Sequence, residues 1–551
     1  MNKRIIRTFV QLGTLAALVL FGLFLLDNTF NVLPASIHNR LPAHHTGTVI
    51  TDITVTTCSS VNIFGSCKLD SDSWHRVEKD LYLGKGFLSK AYIHVQRKKE
   101  EDLLPTDKVV LDIKIGRLGP AESQTSKDDR WESRPAGVWI KKSSKRHVSD
   151  TVKAVTAVDV LFGADAVDPR PGWTVQDIPL LLDANTEAME ARLSVRHGPH
   201  QKVEKSVPRI RKDGKFKIMQ LADLHLSTGL GHCRDAMPAN LDDGRCDADI
   251  RTLEFVEKMI ADEKPDFIAM TGDQVNGDTA PDAQSAFYKI ADVCKRHQIP
   301  YAAIFGNHDD EGDLDRANTM VLMQDLPYSM SEAGPEDIDG IGNYVVEILG
   351  RAPTSHAALS LYMLDTHSYS PDERQFRGYD WLKPNQISWF HDKAQSLKRK
   401  HKEYTHIHMD LAFIHIPLPE YRNPDGYQIV GNWTEAPTAP GFNSGFKDAL
   451  VEEGVVMVSC GHDHVNDYCV PGSSSSKSDK AHPAIWMCYG GGVGFGGYGG
   501  YYGYHRRIRF FDIDMNTARI TTYKRLEWGD TDKRLDEQMI VDGGKVIVHQ
   551  Q

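Results

Sequence analysis

Five short polar clusters in the chain combine carboxylate, imidazole and amide side chains, the types that bind metal ions and move protons. Asp223 and His225 lie in "LADLHLS", and His462 and His464 lie in "SCGHDHV". Members of each pair are two positions apart, so in an extended segment both side chains point the same way. A lone Asp or His after a strand is usually a turn or cap residue, but five such clusters indicate a joint metal site. The other clusters contain Asp273 in "TGDQVNG", Asn307 and His308 in "FGNHDD", and His415 in "FIHIPLP".

Each cluster follows an apolar run that is typical of a buried strand. Between these runs, segments such as "DIRTLEFVEKMIADEK" and "DAQSAFYKIADVCKRHQ" have apolar residues at helical spacing. Buried strands that alternate with amphipathic helices predict a layered α/β body over residues 206–551. Ligands of open α/β sheets bind beyond the carboxyl ends of the strands, where the five clusters lie.

The N-terminal residues have a different character. Lys3, Arg4 and Arg7 precede an apolar run from Phe9 to Leu26, which is about long enough to span a bilayer as a helix. We therefore expect residues 1–27 to form a cytoplasmic tip and a transmembrane anchor, with a cleaved signal peptide as the alternative. The flanking cations predict a cytosolic N-terminus and a catalytic body in the lumen of the ER, Golgi or vacuole, or outside the cell.

Two further segments precede the α/β body. Residues 28–47 contain Pro and Asn without an apolar period and are predicted to be a linker. Residues 48–205 contain short alternating or β-branched runs between turns, which predicts a β-rich accessory domain. The cysteine pairs Cys58/Cys67 and Cys233/Cys246 are each close enough in sequence to close a loop, although free thiols remain the alternative.

Charge and composition limit the classes of partner. The formal net charge is -11 and the pI is near 6.1, whereas a nucleic-acid interface needs clustered Lys and Arg. Nucleic acid is therefore excluded as a partner. Nothing in the sequence predicts an oligomeric state.

The order of the five clusters resembles that of a known family. D-x-H, G-D, G-N-H-D, a lone His and G-H-x-H follow one another from Asp223 to His464, as in the calcineurin-like metallophosphoesterases, which are similar to purple acid phosphatases. "GHDHVNDYC" and "CYGGGVGFGGYGGY" more narrowly resemble membrane-anchored fungal and plant members that are purple-acid-phosphatase-like. The resemblance covers a little under half of the chain. It implies a four-layer α/β/β/α sandwich.

The resemblance also implies two metal ions held by seven side chains. Carboxylate, amide and imidazole donors together suit Mn, Fe or Zn better than Ca, which prefers an all-oxygen shell. Asp273 would bridge the two ions. The first ion would be held by Asp223, His225 and His464, and the second by Asn307, His415 and His462.

A phosphoesterase of this kind attacks the ester with a hydroxide that bridges its metals. The resemblance assigns His308 to the substrate side, where it would steady the phosphoryl charge and protonate the leaving alkoxide. Asp309 would either orient that ring or cap the turn. We expect phosphomonoesters, including phosphoproteins, as substrates. The alternatives are a phosphodiesterase or nucleotidase with the same metals, and an inactive membrane-tethered scaffold.

Three features depart from the family pattern or leave choices open. Asn276 stands where purple acid phosphatases have a Tyr, and His225 stands where they have Gly, so neither a purple colour nor ferric iron is expected. His367 in "LDTH" is the alternative to His415 as the lone histidine ligand. The glycine run from Gly490 to Gly503 either packs as a lid or sheet edge or lets backbone approach a phosphate.

Overall fold

The computed structural model describes residues 47–548 with internal gaps, and of the first 46 residues only 11, 13 and 14. These residues divide into two compact units. One comprises the described residues of Met1–Phe162 and Arg170–Lys202, and the other those of Gly163–Pro169 and Val203–Gln551. The gaps are 60–66, 68, 71, 87, 105, 118–130, 144–151, 183–187, 204, 240, 402–406, 423–426, 474–482 and 500–502.

The first unit consists of nine strands in three antiparallel sheets, with orders β1-β3-β2, β4-β6-β5 and β7-β9-β8. Side chains alternate along β1, where Ile53 and Val55 are buried in a core with Ile93 and Leu193. This pattern confirms the predicted β-rich character. The strands are β1 Thr48–Ser59, β2 His75–Arg76, β3 Ser89–Lys99, β4 Val110–Ile115, β5 Trp131–Ser133, β6 Val138–Lys142, β7 Val155–Phe162, β8 Trp173–Val175 and β9 Ala191–His197.

The second unit contains two larger sheets. Its first strands and helices match the predicted apolar runs and amphipathic segments. The strands are β10 Lys215–Leu221, β11 Phe267–Thr271, β12 Tyr301–Ile304, β13 Tyr344–Leu349, β14 Ala357–Met363, β15 Met409–Phe413, β16 Met457–Cys460, β17 Cys469–Ser473, β18 Pro483–Tyr489, β19 Arg507–Asp514, β20 Arg519–Leu526, β21 Leu535–Asp542 and β22 Lys545–Val546. The helices are α1 Ala248–Glu263, α2 Ala283–His297, α3 Arg316–Gln324, α4 Pro384–His401 and α5 Phe446–Glu452.

The seven-stranded sheet has the order β12-β11-β10-β19-β20-β21-β22, and the six-stranded sheet has the order β13-β14-β15-β16-β18-β17. Strands β10, β11 and β12 are parallel, as are β14, β15, β16 and β18. Because connected parallel strands need a crossover, α1 lies between β10 and β11, and α2 lies between β11 and β12. The carboxyl ends of each parallel set therefore meet at one edge of its sheet.

Side-chain alternation explains the layers. In β14, Leu359 and Leu361 join a core that also contains Phe216 of β10, so the two sheets pack face to face. Tyr362 points to the opposite face and packs with Phe390 of α4 in a second core. Apolar side chains of α1 and α2 are likewise buried. The structure thus confirms the predicted α/β architecture.

Both ends of α2 are defined by the residues that flank it. Asp282 caps α2, because its side chain accepts a hydrogen bond from the Ser285 backbone N–H at 2.9 Å. At the other end, Gln298 adopts a left-handed conformation that terminates the helix. α2 therefore stops just before β12, whose carboxyl end leads into the "FGNHDD" cluster.

No helix within the described part of the chain is both long and apolar enough to cross a bilayer. Apart from residues 11, 13, 14 and 47, the predicted anchor at 1–27 and linker at 28–47 lie outside the described residues.

Candidate metal centre

The ends of five parallel strands deliver the predicted ligands. Asp223 and Asp273 each lie two residues beyond β10 and β11, and Asn307 lies three residues beyond β12. In the other sheet, His415 and His462 each lie two residues beyond β15 and β16. All of these side chains are buried. Parallel pairing within each sheet therefore gathers residues that are far apart in sequence.

One group of donors consists of Asp223, His225, Asp273 and His464, each with one ligand atom, all within 4.8 Å of one another. The Nε2 atoms of His225 and His464 are 3.1 Å apart. His225 Nε2 lies 3.5 Å from Asp273 Oδ2, and His464 Nε2 lies 3.6 Å from Asp223 Oδ1. This group contains the three residues that the resemblance assigned to the first ion together with the bridging Asp273.

A second group shares Asp273 with the first. One ligand atom each from Asp273, His415 and His462 lies within 4.8 Å of the others. His415 Nε2 is 3.4 Å from Asp273 Oδ2, 3.3 Å from His462 Nδ1 and 3.1 Å from Asn307 Oδ1. The four residues assigned to the second ion and the bridge are thus brought together.

Backbone carbonyl groups fix the orientation of two of these rings. His415 Nδ1–H donates to the Thr271 carbonyl at 2.9 Å, and His464 Nδ1–H donates to the Tyr498 carbonyl at 2.7 Å. In the neutral rings the proton is then on Nδ1, so each Nε2 directs a lone pair into the cluster. Lone pairs of nitrogen and carboxylate oxygen that face one another repel unless a cation lies between them. The donor set therefore fits metal ions.

Burial and charge set the protonation of the cluster. Burial lowers the pKa of His225 to about 3 and also lowers the pKa of His462 and His464, which leaves these rings neutral and able to ligate. Burial also opposes charge on His415, but Asp273 outweighs it and raises the pKa of His415 to about 9. Burial would raise the pKa of Asp273, but the positive charge of His415 outweighs burial and lowers this pKa well below its usual value. Without a metal, a proton on His415 thus balances Asp273.

The backbone of the cluster is strained. Asp223, His225, Asp273 and His462 have positive φ angles of 57°, 46°, 50° and 79°. Residues other than glycine avoid this region, at a cost of about 1–3 kcal/mol each. Such strain persists where surrounding contacts hold it, and here it turns the side chains of four predicted ligands inward. Concentration of strain in one cluster points to a functional site.

The glycine run packs directly against the first ligand loop. A Cβ atom at Gly494 would lie 1.8 Å from the Leu224 carbonyl oxygen, and one at Gly496 would lie 2.1 Å from that of His225. Gly494 N–H donates to the Asp223 carbonyl at 3.0 Å. Only glycine permits this approach. Of the two interpretations of this run, the packed segment is the one that the structure shows.

His308 lies at the edge of the cluster, with a side chain that is 30% exposed. Its ring centroid is 5.3 Å from that of His225, and its backbone N–H donates to Asp273 Oδ1 at 2.9 Å. Burial lowers the pKa of His308, but the negative charges of Asp273 and Glu311 outweigh it and raise the pKa overall. A charged ring beside the cluster suits contact with a phosphate.

Asp309 does not have the orienting role that was one of its two predicted functions. Its Oδ2 accepts the backbone N–H groups of Gly306 and Asp273 at 2.7 and 2.9 Å, and its Oδ1 accepts that of Val275 at 2.9 Å. Both oxygens are thus committed to the backbone, and Asp309 joins the Asp273 loop to the Asn307 loop. His308 Nδ1 instead contacts Glu311 Oε2 at 2.6 Å.

Several residues near the centre fall outside the two groups or were not predicted. His367, the alternative to His415, is not part of either group. Its Nε2 lies 2.8 Å from Gln386 Oε1.

Two residues near the centre were not predicted. Tyr379 was missed because no motif contains it, and its ring lies 4.2 Å from that of His462. Glu311 had a signal in the sequence, since it lies three residues after His308, within contact range in a turn.

Comparisons with known proteins agree with this geometry. A family model described as "Calcineurin-like phosphoesterase" matches residues 216–466. "Phosphatase DCR2" of Saccharomyces cerevisiae is 37% identical over 405 residues, covering 71% of this chain and 67% of that protein. The chain belongs to the calcineurin-like phosphoesterase family. "Probable inactive purple acid phosphatase 29" of Arabidopsis thaliana is 35% identical over 344 residues. The match covers 60% of this chain and 85% of that protein.

One solved structure resembles this calcineurin-like phosphoesterase only distantly. A dimetal phosphatase from Danio rerio matches with 13% identity and a TM-score of 0.38, covering 59% of this chain and 98% of its own. At that TM-score the likeness supports no conclusion about this chain.

Proposed function

We propose that this chain is a metal-dependent phosphatase that binds two metal ions and hydrolyses phosphomonoesters, phosphoproteins among them. The observation that carries the proposal is the convergence of seven buried side chains, six in two donor groups that share Asp273 and the seventh, Asn307, with its Oδ1 3.1 Å from His415 Nε2. Family membership and the phosphatase relative support a phosphoesterase. The number of ions, their identity and the class of ester are proposed from the donor set.

Asp273 would be shared by the two ions. Mixed carboxylate, amide and imidazole donors favour Mn, Fe or Zn. Bound there, such ions supply an activated water and neutralise charge on the phosphoryl group. The residues that would hold them are Asp223, His225 and His464 for one ion, and Asn307, His415 and His462 for the other.

The chain's own residues would do the remaining work. The seven donors are buried, whereas His308 is partly exposed, so the substrate approaches from the His308 side. His308 lies where it can donate a proton to the departing oxygen, a step that typically contributes about 10²- to 10⁴-fold in rate. Asp309 holds the loops of Asp273 and Asn307 together through three backbone N–H groups. The resulting arrangement is preorganised for phosphoryl transfer.

A direct test compares two chromogenic esters. The purified full-length chain is stripped with a chelator, reloaded separately with Mn²⁺, Zn²⁺ or Fe²⁺, and assayed with p-nitrophenyl phosphate and bis(p-nitrophenyl) phosphate. We expect faster turnover of the monoester, loss of turnover after chelation and recovery on reloading. Preference for the diester would instead support a phosphodiesterase or nucleotidase.

The same assay addresses the inert alternative. The words "probable inactive" in the name of the Arabidopsis relative raise the hypothesis of a membrane-tethered scaffold without turnover. The complete donor set of this chain favours an enzyme. Absence of turnover with every metal and both esters would support the scaffold.

We also propose a single N-terminal membrane anchor, a cytosolic N-terminus and a lumenal or extracellular body. The apolar run from Phe9 to Leu26 supports the anchor. Disulfides support the oxidising compartment, since such bonds persist outside the cytosol. Carbonate extraction and protease protection test this proposal: the chain should stay with the membrane and the body should be protected, and release of the chain would contradict it. The described bonds are Cys58–Cys67, Cys233–Cys246 and Cys469–Cys488.

A further inference from the structure

The carboxylate of Glu311 lies between two side-chain donors at the edge of the metal centre. His308 Nδ1–H donates to Oε2 at 2.6 Å, and the Tyr369 hydroxyl donates to Oε1 at 3.2 Å. Each oxygen therefore has a defined partner, which fixes the plane of the carboxylate. Because Nδ1 is engaged, the nitrogen on the far side of the ring, Nε2, is the one left for the substrate.

The neighbouring acids do not share this role. In "HDDE", Asp309 is committed to backbone N–H groups, and Asp310 accepts from Arg316 Nε at 3.1 Å. Glu311 is therefore the acid of this segment that holds the ring. Its position is also accommodated by the fold, since a Cβ atom at Gly277 would lie 2.4 Å from Glu311 Cβ. The glycine leaves the room that the Glu311 backbone occupies.

We propose that Glu311 is a positioning residue that orients His308 for proton donation to the leaving group. This inference rests on the proposed phosphatase function. In the reaction, an oxygen from water bonds to phosphorus as the bond from phosphorus to the ester oxygen breaks. The proton on His308 Nε2 passes to that departing oxygen, and the ring regains a proton from the solvent, which also takes up the proton lost by the water. Glu311 accepts the Nδ1–H bond throughout.

Leaving-group dependence distinguishes positioning from a merely structural role. A misplaced acid slows esters with basic alkoxide leaving groups, such as phosphoserine, far more than p-nitrophenyl phosphate, whose leaving group needs little protonation. We expect Glu311→Ala to lower kcat for phosphoserine about 100-fold and for p-nitrophenyl phosphate less than about 10-fold. Its metal content and melting temperature should match those of the wild type.

Three further variants sharpen the test. Glu311→Gln keeps an acceptor for Nδ1–H and should recover part of the phosphoserine rate. Tyr369→Phe removes the second donor and should shift the ratio of the two rates about threefold in the same direction, as expected for one lost hydrogen bond. Glu336→Ala removes an exposed loop carboxylate and should change neither rate.

The outcomes separate this inference from the function on which it rests. Equal loss for both esters in Glu311→Ala, or loss of bound metal, would overturn the positioning role while leaving a phosphatase in place. A wild-type chain that turns over neither ester would overturn the proposed function, and this inference with it.

Discussion

Two kinds of buried charged cluster lie side by side in the second unit, and they are neutralised in opposite ways. Asp467 is three residues after His464, yet its oxygens accept from Arg507 and from Lys524, the latter at 2.6 Å. These partners outweigh burial and lower the pKa of Asp467 far below its usual value. Asp467 therefore belongs to a closed structural network that needs nothing from outside.

The metal centre lacks such partners. Among the described residues, the ion-pair partners of Asp223 and Asp273 are histidines, not lysine or arginine. Two of these histidines have the Nδ1 proton held by backbone carbonyl groups, so in the neutral rings their remaining nitrogens are acceptors. Apart from a proton that His415 can lose, this cluster has no cationic partner of its own among the described residues, so a cation from solution suits it. The type of ion-pair partner, not burial, therefore separates a binding centre from a structural network.

The largest expected effect is at the shared ligand. Asp273→Asn removes the charge common to both groups, so metal and turnover should be lost together. We expect kcat/KM to fall on the order of 1000-fold or more, which corresponds to several kcal/mol of transition-state stabilisation. Metal analysis and steady-state kinetics measure the two quantities, with the exposed residue Asp337→Asn as the control. If Asp273→Asn kept both its full metal content and its full activity, Asp273 would not be a shared metal ligand.

The structural network should respond in stability. Asp467→Ala removes the carboxylate that pairs with buried Arg507 and leaves Lys524 with Asp536 as its acidic partner, so the free energy of unfolding should fall by about 3–5 kcal/mol. Urea unfolding measures this loss. Asp542→Ala breaks the exposed pair with Arg519 and should change the free energy of unfolding far less. The Asp467→Ala variant, as long as it is folded, should still bind metal. If it lost as much metal as Asp273→Asn, the distinction between the two clusters would be contradicted.

His308 should separate metal binding from catalysis. Its side chain is outside both donor groups, so His308→Ala should keep the metal while kcat falls about 100-fold or more. Steady-state assays and metal analysis of the same preparation test this prediction. Exposed His297→Ala serves as the control. If His308→Ala lost its metal, His308 would have to be counted among the ligands.

The smallest expected effect is the pH dependence of stability that arises from Glu263, which lies in a second structural network. Burial alone would raise the pKa of Glu263, but hydrogen bonds from Lys217, Tyr523 and Arg525 outweigh it and lower the pKa from 4.5 to about 2. As the pH falls, the Glu263 carboxylate is protonated in the unfolded chain before it is protonated in the folded chain. The stability that ionised Glu263 contributes is therefore complete above pH 4.5 and is lost as the pH falls toward 2.

Glu263→Gln should therefore be less stable than the wild type at neutral pH, and the gap should narrow in acid. Urea unfolding at about pH 7 and about pH 3 measures the narrowing. A gap that stays constant or widens on acidification would show that Glu263 is not held ionised by its neighbours.

Much of the fold was predictable because local sequence and tertiary structure agree. The runs that became β11 and β12 are almost wholly apolar and that of β10 is largely apolar, and each is followed closely by a polar cluster. The period of apolar residues also marked α1 and α2 correctly. Strand-end placement then brought the predicted ligands together, although their role as ligands stays a prediction.

Other features could not be derived because they depend on contacts across the fold. The bond between Cys469 and Cys488 joins antiparallel neighbours β17 and β18, and only the register places the two residues opposite each other. For Cys58/Cys67 and Cys233/Cys246 the sequence left a short disulfide loop and free thiols as alternatives, and the structure has the two disulfides.

The orienting partner of His308 was missed for a similar reason. Asp309 and Glu311 are both close in sequence, and the three-dimensional path of the loop decides which acid meets the ring. Asp309 turns toward the backbone instead, where it accepts the N–H groups of Asp273 and Val275 in one loop and of Gly306 in its own. Sequence spacing alone gave no preference between the two acids.

Metal stoichiometry tests the central claim most directly. The full-length chain, stripped by a chelator and dialysed against Mn²⁺ or Zn²⁺, should take up about two ions per chain, as expected for a two-metal centre. Asp273→Asn treated in parallel should retain less than the wild type. A wild-type chain that takes up no metal, or a variant that binds as much as the wild type, would contradict the claim that these seven side chains form a metal centre.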